Sequence, residues 1–150
     1  MPFRAFKIVA ASGLLTFPLA CWAFGRLANF RHPIPELFAF GGLCFLLDES
    51  FEIYGGNVKS TMAGEYSFSI ALTLAVLGLG LLAHGLRTGR FRVWTAVVLS
   101  LAAVSHGIVL IFVAVAAIVM SLVWMDSKRA WYAVSTGVTT LLLSAWWVGP

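Results

Sequence analysis

Residues Leu46–Ser69 read LLDESFEIYGGNVKSTMAGEYSFS and interrupt a chain that is otherwise almost continuously apolar. This segment contains Asp48, Glu49, Glu52 and Glu65, which are four of the six acidic residues in the protein. The apolar stretches on either side carry few groups that can bind a polar ligand or take part in catalysis. The acidic segment is therefore where we expect ligand contact or chemistry to occur.

The composition predicts a protein that folds in lipid. The chain has 150 residues, of which 61% are hydrophobic and 11% charged, and its mean hydropathy is +0.95. Soluble domains carry about 25% charged residues, and a water-soluble fold of this size could not bury so much apolar surface. The net charge of +4 comes from short clusters at the ends of apolar runs. Such placement is typical of anchors at a membrane surface and argues against nucleic-acid binding.

The pattern of apolar runs predicts an all-α, polytopic transmembrane helix bundle with five or six membrane segments. We treat residues 1–150 as a single transmembrane module. The second span is short, and it can continue as an interfacial helical turn through residues 48–54 before the turn expected at Gly55-Gly56-Asn57. The expected spans outside the central apolar run are Ile8 to Gly25, Leu37 to Leu47, Ser67 to Leu86, and Ala130 to Val148.

The longest uncharged run, Val93 to Trp124, is too long for one crossing. Its 32 residues would form a helix of about 48 Å, whereas the hydrocarbon core of a bilayer is about 30 Å thick. Basic residues flank the run at both ends. A hairpin broken near Ser105-His106-Gly107 would place both basic clusters on the same side of the membrane, and this is the arrangement we predict.

The distribution of basic residues predicts the orientation. With this topology, the loops at 26–32, 87–92 and 126–129 lie on one face and hold seven of the ten Lys and Arg residues. Positive loops remain in the cytoplasm, so this face is predicted to be cytoplasmic. The chain is then a multi-pass protein of the cell inner (cytoplasmic) membrane, with the acidic loop 48–66 on the extracytoplasmic side.

The carboxylates at 48, 49 and 52 are the first candidate site. On a helix, Asp48 and Glu52 would share a face, and Glu49 and Glu52 would be neighbours. Clustered carboxylates at a membrane surface can bind a divalent cation, act as a general base or bind the hydroxyls of a sugar. The alternative is a solvated helix end whose charges only mark the boundary of the bilayer.

Glu65 and His106 are the other candidates. Glu65 directly precedes the third span, where it can serve the helix dipole or point into an outward cavity and contact substrate or metal. His106 lies at the predicted break, and an ionisable group at membrane depth indicates function. The alternative for His106 is a hinge residue bonded to a carbonyl that the break leaves free. The sequence has no nucleophile triad, phosphate loop, zinc-ligand spacing or dinucleotide fingerprint.

Four blocks, YGGN, STMAGEYSFS, SHG and WWVGP, carry a resemblance to a known family. In order and spacing the chain resembles, over nearly its whole length, bacterial multi-spanning membrane proteins described as 6-pyruvoyl-tetrahydropterin synthase-related. A soluble pterin synthase needs a zinc-binding set of histidines, and the three histidines here have no such spacing. The architecture of the family resembles instead the C-type (GT-C) membrane glycosyltransferases.

The resemblance implies a GT-C-like glycosyltransferase module of the cell envelope that acts on polyprenyl-phosphate-linked sugars at the outer face of the cytoplasmic membrane. Asp48, Glu52, Glu65 and His106 would contact metal, phosphate or acceptor. We also expect an internal fragment of a longer protein that lacks the upstream acidic loop, where GT-C enzymes commonly carry the catalytic base. The competing hypothesis is a non-catalytic membrane scaffold or a transporter-like module, because an intramembrane histidine at a helix break suits a transport path.

Overall fold

The computed structural model describes residues 2–50, 55–124 and 126–148, with side chains described from residue 7 to residue 147 within those ranges. All the regular structure in this part of the chain is helical, which confirms the predicted all-α class. The helices are α1 (Pro2–Leu27), α2 (Ile34–Leu47), α3 (Val58–Met62), α4 (Tyr66–Thr88), α5 (Arg92–Ser105), α6 (Gly107–Val123) and α7 (Ser127–Val148).

The six longer helices run alternately between two opposite ends of the bundle. α1 and α4 are parallel, because a Cβ built on Gly13 would meet the backbone of Ser69 near the start of α4. At the other end of this pair, the Arg87 guanidinium donates to the Leu27 carbonyl over 3.5 Å. α2 turns back along α1, and the Phe45 ring near its end lies 5.4 Å from the ring of Phe17.

α5 and α6 form the predicted broken hairpin. α5 ends at Ser105, α6 begins at Gly107, and His106 between them has an extended backbone with φ −159° and ψ 123°. With 14 and 17 residues, the two arms are about 21 Å and 26 Å long. α7 then returns along α5, and a Cβ on Gly107 would lie 3.6 Å from the Trp147 ring near the end of α7.

The alternation of the helices gathers charge of opposite sign at the two ends. We name the acidic end as the end with residues 48–50 and 55–65, the His106 break and the last turn of α7. We name the basic end as the end with the connections at 28–33 and 89–91 and with residues 124 and 126. The three basic loops therefore lie at one end, as predicted, and the described part of the acidic segment lies at the other.

Small residues bring the helices close together. The Gly13 position lies against the α4 backbone, and the Thr73 hydroxyl donates to the Gly13 carbonyl over 2.9 Å. Ala71, Ala83 and Ala96 are completely buried. Helices associate in lipid through close packing of small residues rather than through the hydrophobic effect, and this interior has that character.

The outer surface of the bundle is apolar. On α6 the large side chains of Ile111, Phe112, Ile118 and Leu122 are all more than half exposed. By length and composition, the segment Lys7–Leu27 of α1 and the whole of α4 could cross a membrane, whereas α2, α5 and α6 are apolar but shorter. The described part of the chain thus includes two candidate spans, and the five or six spans expected from the sequence stay a prediction.

Candidate functional site at the acidic end

His106 occupies the break between α5 and α6 without leaving its own backbone unpaired. Its N–H donates to the Ala102 carbonyl over 3.3 Å, and its carbonyl accepts from the N–H of Leu110 over 3.2 Å. Both helices therefore keep their terminal hydrogen bonds through the extended residue. The backbone from which the imidazole projects is therefore fixed at the point where the two helices meet.

The side chain that faces this imidazole is Glu65. The Oε2 atom of Glu65 lies 3.7 Å from Nε2 of His106. Glu65 stands immediately before α4, but its side chain makes no capping hydrogen bond to that helix. Its backbone N–H donates to the Ser60 carbonyl and its carbonyl accepts from the N–H of Phe68, so the backbone is fixed and the carboxylate is directed toward His106.

The His106 side chain is largely buried and packs against an apolar ring. The Phe68 ring packs edge to face against the imidazole, with 4.8 Å between ring centroids. The Nδ1 atom of His106 is buried and has no hydrogen-bond partner among the described residues. The alternative hypothesis, in which the ring of this residue bonds to a carbonyl freed by the break, is therefore not what the structure shows. A buried polar atom without a partner is costly, so each one needs an explanation such as a catalytic role or a bound water or ion.

A second Glu–His pair lies at the basic end and is more exposed to solvent than the Glu65–His106 pair. His32 Nδ1 and Glu36 Oε2 lie 3.3 Å apart, but their side chains are 80% and 48% exposed, and they sit one turn apart near the start of α2. His106 and Glu65 are only 20% and 36% exposed and join two distant parts of the chain. The pair at the acidic end is therefore partly shielded from solvent, and a ligand bound there would lose less energy to screening.

The predicted helical arrangement of the carboxylates at 48, 49 and 52 is wrong for the first two. α2 ends at Leu47, and Asp48 is extended with φ −69° and ψ 125°, so the helical turn expected after α2 does not form over residues 48–50. The cause is local hydrogen bonding that competes with the helix. The Asp48 carboxylate accepts from the hydroxyl and the N–H of Ser50, over 2.6 and 2.9 Å. Glu49 is exposed, and Glu52 lies outside the described residues.

The Ser50 contacts also affect the ionisation of Asp48. The hydroxyl of Ser50, and then its N–H, stabilise the charged form and lower the pKa of the Asp48 carboxyl below its ordinary value. Asp48 therefore carries its negative charge throughout the neutral range. Its side chain serves to shape the loop, and no described contact joins it to Glu65.

Sequence reasoning missed Asn57, which organises the acidic segment. This side chain is completely buried, accepts from the N–H of Ser60 over 2.8 Å and donates to the Asp48 carbonyl. It thereby caps α3 and ties the end of α2 to the segment that leads to Glu65. The expected turn at residues 55–57 is present, with Gly56 at φ +70°. An Asn before a short polar stretch is the sequence signal of this cap.

The described residues do not form a metal site of their own. Within residues 2–50, 55–124 and 126–148, no group of three His, Cys, Asp or Glu side chains could hold a metal ion. Glu65 and His106 offer two ligands, whereas Ca²⁺ requires six to eight oxygen atoms and Mg²⁺ near-octahedral coordination. The divalent cation considered in the sequence analysis does not fit the described residues.

Comparison with known proteins adds no assignment. No protein-family model, curated protein or solved structure matches this chain.

Proposed function

We propose that this chain is an integral protein of the cytoplasmic membrane, with its acidic end on the extracytoplasmic side and its basic end in the cytoplasm. The two candidate spans and the exposed apolar surface of α6 support membrane embedding. Large contiguous apolar patches on a protein surface indicate contact with lipid or with another protein. The positive-inside rule supports the orientation, because the three basic loops lie together at one end.

At the acidic end we infer a GT-C-like glycosyltransferase module that binds polyprenyl-phosphate-linked sugars. The observation that carries this inference is the Glu65–His106 pair, partly buried at the mouth of a helix break. A carboxylate accepts hydrogen bonds from sugar or acceptor hydroxyls, and an imidazole can donate or accept. Glu65 would hold a hydroxyl, and His106 would orient the Glu65 carboxylate through Nε2.

Two of the four sequence blocks that carry the family resemblance meet at this pair. STMAGEYSFS contributes Glu65 and Phe68, and SHG contributes His106. These blocks are distant in the chain, yet the imidazole of one contacts the carboxylate and the aromatic ring of the other. This convergence supports a site formed by both blocks in preference to two unrelated structural features.

The test is binding and transfer of a lipid-linked sugar by the full chain in proteoliposomes. A polyprenyl-phosphate hexose with a radiolabelled sugar is the probe, and sugar-free polyprenyl phosphate is the control ligand. We expect Glu65→Gln to weaken sugar-dependent binding, and any transfer, by about tenfold or more, because a hydrogen bond to a charged group contributes roughly 1.5–3 kcal/mol. Glu36→Gln removes the carboxylate of the other Glu–His pair and should change neither.

Equal effects of the Glu65 and Glu36 substitutions would remove Glu65 from the site. Equal binding of the sugar-bearing and sugar-free lipids would contradict the glycosyltransferase class. In both cases circular dichroism and thermal unfolding must first show that each variant is folded.

The second candidate function is a transporter-like module, and the helix break favours it. Interrupted helices that carry an ionisable residue form substrate and ion sites in many transporters. In that case Glu65 and His106 would exchange a proton as the site opens. The test is proton-coupled uptake of a solute into proteoliposomes. Uptake that is lost in His106→Asn and retained in Glu36→Gln would favour this function over sugar transfer.

A further inference from the structure

A cavity lies at the basic end, far from the Glu65–His106 pair. It has a volume of about 300 Å³ and lies between the last turn of α4 and the first turns of α7. Its floor is formed by Gly85, Leu86 and Tyr132, all of which are buried. This volume is at the lower end of the range of small-molecule sites, which is sufficient for a headgroup or a small anion.

Gly85 allows the Tyr132 ring to form the floor of the cavity, because this glycine has no side chain. A Cβ at this position would overlap with the phenol of Tyr132, whose ring covers the glycine. The Tyr132 hydroxyl is fixed in turn, since it donates to the Arg90 carbonyl over 3.0 Å and lies 3.1 Å from the Thr95 hydroxyl. The floor of the cavity is therefore held in place by hydrogen bonds and by close packing.

The rim of the cavity is cationic. Arg87, Lys128 and Arg129 line it together with a single carboxylate, that of Asp126. Neither of the two ion pairs found among the described residues involves these cations. Arg87 and Arg129 donate to the backbone carbonyls of Leu27 and Trp124, which orients the guanidinium groups without neutralising them.

A further cation lies beneath the floor. The guanidinium of Arg92 stacks over the Tyr132 ring at 5.5 Å from its centroid, and its Nε atom is buried with no partner among the described residues. Its charge adds to the positive potential of the cavity, where low-dielectric walls strengthen the field. An anion is the ligand that this arrangement would stabilise.

From these observations we propose that the cavity binds a phosphate group, and that in the cell this is the phosphate of an anionic lipid headgroup. Guanidinium and ammonium groups recognise phosphate through charge-assisted hydrogen bonds. Basic cavities between helices near the cytoplasmic surface are suited to anionic headgroups, which are abundant in that leaflet. The proposal is independent of the chemistry at the acidic end, and only its lipid source depends on the membrane placement proposed above.

The experiment titrates short-chain phosphatidylglycerol, short-chain phosphatidylcholine and inorganic phosphate separately into the detergent-solubilised full chain. The readout is the midpoint of thermal unfolding as a function of ligand concentration, because a ligand that binds only the folded state raises that midpoint. We expect phosphatidylglycerol to bind more tightly than phosphatidylcholine. Lys128→Gln and Arg87→Gln should each weaken this binding about fivefold, which corresponds to the loss of one surface cation.

The matched control is Arg90→Gln, which removes an exposed cation from the same end outside the cavity lining. Binding unaffected by this change but weakened by Lys128→Gln supports the proposal. Competition by inorganic phosphate would show that free phosphate also occupies the cavity, whereas binding of the lipid alone would identify the headgroup as the ligand. Equal effects of all three substitutions, or no stabilisation by any of the three probes, would overturn the proposal.

Discussion

Replacing Gly85 by Ala tests the packing of α4 against α7 most sharply. The new methyl group would occupy the space of the Tyr132 phenol, so the ring would have to move. Overpacking of this kind costs about 1–3 kcal/mol. Displacement of the ring would also break the hydrogen bonds of its hydroxyl to Thr95 and to the Arg90 carbonyl, each contributing about 0.5–1.5 kcal/mol.

The expected cost is therefore about 3 kcal/mol, after allowance for the gain of about 1 kcal/mol that Ala brings to a helix interior. For a chain of this length, such a loss lowers the midpoint of thermal unfolding by roughly 6–12 °C. The assay is thermal unfolding of the detergent-solubilised protein, followed by circular dichroism at matched detergent concentration.

Gly137→Ala is the control for this measurement. Gly137 also lies inside a helix, but a Cβ there would have no neighbour within 4 Å, so the substitution should leave stability unchanged or raise it. A Gly85→Ala protein that is as stable as Gly137→Ala would refute the close contact between α4 and Tyr132. It would also remove the floor on which the phosphate site depends.

Three further outcomes follow from the contacts described above. Asn57→Ala should lower the free energy of unfolding by about 1–3 kcal/mol, because it removes the α3 cap on the Ser60 N–H and the donor to the Asp48 carbonyl. Gly13→Ala should lower the free energy of unfolding by at least about 3 kcal/mol, the upper end of the usual overpacking range, because its Cβ would meet backbone that cannot move aside. Gly41→Ala is the control and should have no such cost, because a Cβ there would have open space around it. Ser50→Ala should raise the pKa of Asp48 toward its ordinary value, as followed by NMR of the carboxyl carbon. The lowered pKa of Asp48 stabilises the fold at pH values above the ordinary pKa of that carboxyl, and this stabilisation is lost as the pH falls through the lowered pKa. Ser50→Ala should therefore also reduce the loss of stability between neutral and acidic pH.

The helical class and the break at His106 were predictable because both follow from physical limits that the sequence displays. A 32-residue uncharged run exceeds the thickness of a bilayer, and the polar triplet Ser105-His106-Gly107 is the place where a break costs least. The basic clusters on either side then required a hairpin. The structure has that hairpin, with His106 as the single residue between the two arms.

The acidic segment was harder to predict because short-range side-chain bonds decide its backbone. Helical periodicity placed Asp48 and Glu49 on a continuing turn of α2. In the structure the Ser50 hydroxyl donates to the Asp48 carboxylate and the buried Asn57 amide donates to the Asp48 carbonyl, and the helix ends at Leu47. Such bonds depend on which side chain reaches which backbone group, and spacing alone does not encode this.

The contact between His106 and Glu65 could not be predicted from the sequence either. Glu65 and His106 were each candidates, but nothing in their positions along the chain required them to meet. Their contact follows from the antiparallel packing of α4 and α5, which small residues such as Gly78 permit by accepting the side chain of Leu99. Tyr132 was missed for the same reason, since its role depends on a glycine in another helix.

The central claim is that the acidic and basic ends face opposite sides of a membrane. It is tested most directly by single-cysteine labelling with a membrane-impermeant maleimide, after replacement of the free thiols Cys21 and Cys44. Cysteines are introduced at Met62, which is 81% exposed at the acidic end, and at the exposed Arg90 at the basic end. The account predicts that Met62→Cys is labelled in right-side-out vesicles and Arg90→Cys only in inside-out vesicles. Labelling of both positions from the same side would contradict it.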